Sequence, residues 1–211
     1  VIIATEASEL PVTRLGSLVS PDETSKRLRF VDAALRCVAS KGLRSTTVEE
    51  IALEASMARA TLYRTFPGGR EAVLLAVAET EAARFFASLS VELASAADLE
   101  SLCVAFILGA ARRVRASVLL GALKVERPEV LSDRVTFGGL DTTLALASDF
   151  AWPFFSQWME EEPARRSAEF VARVTLSYLV SEEPGVSLTD EGDVAALVAR
   201  HVLAGVRSLA S

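Results

Sequence analysis

Residues 57–69 read Met-Ala-Arg-Ala-Thr-Leu-Tyr-Arg-Thr-Phe-Pro-Gly-Gly, which allows about two helical turns before the proline. Met57, Leu62 and Phe66 have the character of core residues. Arg59, Thr61, Tyr63 and Arg64 crowd the outside of the same short helix with hydrogen-bond donors. Pro67 cannot continue the helix, and Gly68 and Gly69 free the turn that follows. The stop prepares a new helix near Arg70, whose first N–H groups point outward.

The flanking sequence supplies partners for this helix. Thr47 with Glu50 three residues on fits a capping box, which predicts a helix from about Thr47 to Ala55 with Ile51 and Ala55 facing inward. Before it, Leu28, Val31, Leu35 and Val38 recur at helical spacing, predicting a helix from Thr24 or Ser25 to Lys41, with Gly42 as its stop. The short helix itself spans about Ala58–Phe66. Three helices, with a tight turn between the second and third, describe a helix-turn-helix. Such a unit lays the helix after the turn in the DNA major groove. Arg59 and Arg64 are then candidates for base edges, and Thr61 and Tyr63 for phosphates, with Ala60 on the same helix. Arg44 and Thr47 at the start of the second helix, and Arg70 at the start of the fourth, stand where helix N-termini attract phosphate.

Residues 46–77, TTVEEIALEASMARATLYRTFPGGREAVLLAV, resemble the DNA-binding signature of the tetracycline-repressor (TetR) family, and the likeness runs over about residues 26–77. The resemblance implies phosphate contacts by Thr61, Tyr63 and Arg70. It also implies repression, and a C-terminal helical domain that binds a small ligand and forms a homodimer. Two positions depart from the family pattern. Ser56 stands in the turn where glycine is usual, and Ala58 stands where the helix cap is usually Ser or Thr.

Charge is distributed in keeping with this reading. Residues 1–70 carry 10 basic and 8 acidic side chains, whereas residues 71–211 carry 12 and 20, for a net charge of −6 over 211 residues. Only the N-terminal third would welcome a polyanion. Residues 1–23, with Pro11, Gly16 and Pro21, read as a flexible arm, 24–69 as the DNA-binding domain, and 70–211 as the effector-binding and dimerisation domain. No apolar run is long enough for a membrane span. With no basic segment ahead of its first apolar residues, the chain is expected to be cytoplasmic.

Enzyme chemistry lacks its parts. Cys37 and Cys103 are the only cysteines and lie among apolar helical neighbours, which reads as buried free thiols. His201 is the only histidine and reads as packing in the last helix. There is no phosphate loop and no nucleophile elbow. No catalytic residue, metal site or cofactor is therefore expected.

The remaining chain predicts helices at Arg70–Leu93, Leu99–Arg115, Val118–Glu126, Leu140–Glu160 (interrupted at Pro153), Ala164–Val180 and Asp190–Leu209. The last two are apolar on more than one side, which calls for cover on two sides, one by their own core and the other by a second copy of the chain; full burial within one chain is the competing reading. Residues 150–158, FAWPFFSQW, place Phe150, Phe154 and Trp158 on one helical stripe. With Phe106 and Phe137 they could enclose a small apolar effector. Plain core is the competing reading of that stripe. Three functional readings stay open: a regulator released from a palindromic DNA operator by an effector, an orphan regulator without one, and a helical enzyme or carrier using the aromatic cavity.

Overall fold

The structure is a computed structural model that describes residues 21–135, 140–181 and 185–210. It is all-α: the described residues contain no strand. The helices are α1 (Pro21–Lys41), α2 (Val48–Glu54), α3 (Arg59–Thr65), α4 (Gly69–Ala94), α5 (Leu99–Ala116), α6 (Val118–Glu126), α7 (Pro128–Val135), α8 (Leu140–Phe155), α9 (Glu161–Val180), α10 (Glu191–Leu197) and α11 (Leu203–Ala210). A π-helical turn, Val198–Val202, joins the last two. No helix among the described residues is long and apolar enough to cross a membrane.

The chain forms two compact units. The first holds residues up to Arg84 together with Val118–Arg127. It contains α1, α2, α3, the beginning of α4, and α6. This grouping differs from a division at Gly69/Arg70, because α6 packs beside α1. The core of the unit buries Phe30, Val31, Ile51, Leu62, Phe66, Val73, Val77 and Leu119. The Phe30 and Phe66 rings meet edge to face at 6.2 Å, and the Arg27 guanidinium covers Phe66 at 4.6 Å from its centroid. α1 begins at Pro21, a few residues before the expected start. Its buried face is Phe30, Val31, Ala34, Cys37 and Val38, while Leu28 is 42% exposed and Leu35 only half-buried. Val31 and Val38 of the expected stripe are thus buried, Leu35 packs partly against the same core, and Phe30, Ala34 and Cys37 are buried where Leu28 is not.

The second unit holds Phe85–Ser117 and Pro128–Ser211. α5 runs through its core, burying Leu102, Cys103, Phe106, Ile107 and Ala111. Asp98 caps α5 by accepting the Ser101 N–H at 2.8 Å, and this holds its carboxyl below the usual range. α8 and α9 pack along each other more extensively than any other pair of helices. α8 stops at Phe155, short of the expected Glu160. The expected interruption at Pro153 is absent, since α8 runs through that residue. At the helix end Ser156 donates its hydroxyl to the Pro153 carbonyl at 2.7 Å.

The last helical stretch was expected to be one continuous helix from Asp190. Asp190 does cap it, accepting the Asp193 N–H at 3.0 Å. The π turn then interrupts it. Val194, Val198, Val202 and Val206 are all buried at a spacing of four. In an ideal α-helix that spacing drifts about 40° per step, and the wider π turn absorbs part of the drift. This keeps all four valines on the same core.

Candidate nucleic-acid interface

α2 and α3 form the helix-turn-helix of the first unit. The capping box at the start of α2 is present: the Thr47 Oγ1 accepts the Glu50 N–H at 3.3 Å, and the Glu50 carboxylate accepts the Thr47 N–H at 3.0 Å. Lys41 donates to the same carboxylate at 2.5 Å, which is the largest cause holding Glu50 below the ordinary carboxylate range.

The turn after α2 closes as a Schellman motif. Met57 donates its N–H to the Ala52 carbonyl and Ser56 donates to Leu53, each at 2.9 Å. That geometry puts Ser56 at φ 54°, in the left-handed region. A serine here accepts a conformation that glycine would adopt without steric cost. α3 then begins at Arg59 with Ala58 as its cap residue, and no side chain caps it.

α3 buries Leu62 and turns the rest of its surface outward. Ala60 and Arg64 are exposed, Thr61 is partly exposed and Tyr63 is 46% exposed. Arg64 has no ion pair or hydrogen bond among the described residues. Arg59 is different: its Nη2 lies 2.9 Å from the Glu49 carboxylate on α2. Tyr63 lies against the start of α4, where a side chain added at Gly69 would approach its ring to 3.1 Å. Gly69 itself has φ 60°.

The other basic residues singled out from sequence are engaged inside the unit. Arg70 donates from Nε to the Thr46 carbonyl and from Nη2 to the Leu43 carbonyl, both at 2.7 Å, and pairs with Glu71 at 2.6 Å. Its guanidinium thus braces the turn between α1 and α2. Arg44 donates to the main-chain carbonyl of Glu126 at 2.8 Å. The Glu126 carboxylate in return accepts the Leu43 and Arg44 N–H groups, each at 2.6 Å. Those two N–H groups, Arg44 first, hold the Glu126 carboxyl below its usual range. Glu126 and Glu49 had no local signal in the sequence, since each finds its partner only across the fold.

The residues singled out for an effector pocket all belong to the second unit. Phe106 is buried in its core. Phe150 packs between Phe86 at 4.7 Å and Phe154 at 5.6 Å, ring centroid to centroid. Trp158 lies beyond the end of α8, half-buried against the same core. Phe137 lies outside the described residues. Cys37 and Cys103 are buried free thiols; burial pushes the Cys103 thiol up to about 12. His201 is exposed, contrary to the expected packing role, because the π turn carries it off the buried valine face. Among the described residues no group of three or more His, Cys, Asp or Glu side chains could hold a metal ion.

Residues 30–77 match the model of a family described as bacterial regulatory proteins, tetR family. No curated protein sequence matches the chain. Several solved structures share its fold. The TetR family repressor AlkX from Dietzia sp., implicated in biodegradation of n-alkanes, is 23% identical with a TM-score of 0.60, over 91% of this chain and 98% of that one. A transcriptional regulator from Cytophaga hutchinsonii is 19% identical with a TM-score of 0.59, over 89% and 100%. The fatty acid degradation regulator FadR from Bacillus halodurans is 19% identical with a TM-score of 0.53, over 85% and 95%. At these identities the likeness is one of fold.

Proposed function

We propose, from the premise that residues 30–77 belong to the tetR family of bacterial regulatory proteins, that this chain is a ligand-responsive transcription repressor acting as a homodimer on a palindromic operator. One observation carries the reading. α3 buries only Leu62 and presents Arg59, Ala60, Thr61, Tyr63 and Arg64 on its outer side after the Schellman turn. Arg64 is the freest base reader. Thr61, Tyr63 and Thr47 would contact phosphates. Arg44 and Arg70 act first by shaping the turn between α1 and α2, and add positive charge at its rim.

The dimer is supported by α9. Its inner face buries Ala164, Ala168, Val171 and Ala172, yet Phe170, Val174 and Leu179 remain only half-buried and Val180 is 61% exposed. A second copy would cover them. The last helix contributes less than expected, because its valines face its own core. An apolar effector is supported by the Phe86–Phe150–Phe154 cluster with Phe106 and Trp158, which offers aromatic area without formal charge. The ligand would release DNA by favouring dimers whose recognition helices are no longer one DNA turn, about 34–36 Å, apart.

The test is enrichment of duplexes from a randomised library by the purified chain, with sedimentation in parallel. Recovery of a palindrome bound by two chains is the expected result. A monomer that enriches nothing over bulk DNA at 0.1 M salt would end this reading.

A further inference from the structure

We infer that Glu49 is a specificity-determining residue of the DNA surface, acting through Arg59: its carboxylate presents the guanidinium to a guanine edge and withholds it from phosphates. The inference rests on the DNA-binding reading above.

The two acids opening α2 are adjacent but have different work. Glu50 closes the capping box and pairs with Lys41, so its role is structural. Glu49 takes no part in that cap. Its one partner among the described residues is Arg59, at 2.9 Å. The pair bridges α2 to the first residue of α3, and both side chains stay more than half exposed. Arg59 also stands at an uncapped helix N-terminus, where the helix dipole opposes a cation, so a neighbouring carboxylate answers a local need.

On a surface that meets phosphates, an acid is unfavourable wherever no donor faces it. An arginine with no acidic partner can take a phosphate as readily as a base edge. Arg59, already paired with a carboxylate, gains less from one. One terminal nitrogen, Nη2, is used on Glu49, and the remaining N–H groups can take guanine O6 and N7. The carboxylate itself can accept only from a base amine, such as cytosine N4. Glu49 thereby lowers binding to all duplexes and raises the contrast among them.

The experiment uses the full chain and two probes, a duplex enriched from a random library by the unaltered protein and a scrambled duplex of equal length at matched salt. Glu49→Gln should tighten the scrambled duplex about threefold or more, since one like charge has left the surface. It should lower the ratio of enriched to scrambled affinity about 5- to 100-fold. Re-enrichment with the variant should lose base preference at one column per half-site and keep the others. Arg59→Ala should flatten the same column, and adding Glu49→Gln to it should change the ratio no further. Arg59→Lys, which keeps the charge but not the fork, serves as the second variant and should also flatten that column. Equal changes on both duplexes, an unchanged column, or a Glu49→Gln effect on the ratio that persists without Arg59 would each overturn the inference. If the unaltered chain enriches nothing, the DNA-binding reading falls and this inference with it; if it enriches a site and the column holds, only the inference falls.

Discussion

The carboxylate of Glu126 accepts the main-chain N–H of Leu43 at 2.6 Å, across 83 residues of sequence. It accepts the N–H of Arg44 at the same distance. Gly42, at φ 87°, makes room for it: a side chain there would meet the Glu126 Oε1 at 2.5 Å. The end of α6 thus closes the turn that precedes α2. These hydrogen bonds favour the ionised carboxylate in the folded protein, so its folded pKa lies below its unfolded one. The stabilisation is full above the ordinary carboxylate pKa and fades as pH falls through the depressed folded value. Glu126→Gln should therefore melt earlier than the unaltered chain at neutral pH, and the gap in Tm should narrow as pH falls below the ordinary carboxylate range. Thermal melts across pH 3–7 check this; a gap that stays constant with pH would contradict it.

Gly42→Ala should be costlier than an ordinary turn substitution. It adds both a left-handed alanine and a clash with the Glu126 carboxylate. A loss of about 1–3 kcal/mol is expected from the left-handed backbone alone, with the displaced carboxylate adding to it. In a Glu126→Ala background the loss should shrink, which a denaturant double-mutant cycle measures.

Ser56→Gly should stabilise the chain. The Schellman turn holds position 56 at φ 54°, and glycine removes about 1 kcal/mol of steric cost there. Ser56→Val should do the reverse. Chemical denaturation at neutral pH reads both, and a gain with valine would show that the turn is not held as described.

Ala58→Ser supplies the side-chain cap that α3 lacks, and should stabilise by about 0.5–2 kcal/mol. The hydroxyl would sit beside the proposed reading surface. DNA affinity should thus change far less than stability, as parallel denaturation and binding titrations would show.

On DNA, Arg64→Ala should cost about 1–3 kcal/mol on an enriched site and much less on a scrambled duplex. Tyr63→Phe should weaken both by a similar factor, because phosphates carry no direct sequence information. With 19 arginines, 3 lysines and no asparagine in the chain, guanine is the base the surface is suited to read. Arg70→Lys separates two roles: a phosphate anchor keeps its charge and its affinity, whereas a brace on the Leu43 and Thr46 carbonyls loses stability.

What was legible in the sequence was local. The capping box of Thr47 and Glu50, the stop at Pro67-Gly68-Gly69 and the span of α6 follow from contacts within a turn or two, where spacing alone decides which groups meet. So did the outward face of α3, since Leu62 leaves little choice of which side is buried. The tertiary structure decided the rest. Which arginines are free depends on acids and carbonyls brought from elsewhere: Glu49 to Arg59, and the Leu43 and Thr46 carbonyls to Arg70. On α1 the expected Val31 and Val38 are buried, but Phe30 and Ala34 join them while Leu28 is left exposed. A π turn in the last helix, needed to keep four valines on one core, carried His201 outward. Periodicity records which residues could face a core; only packing, where each side chain must fit a particular partner, settles which of them do.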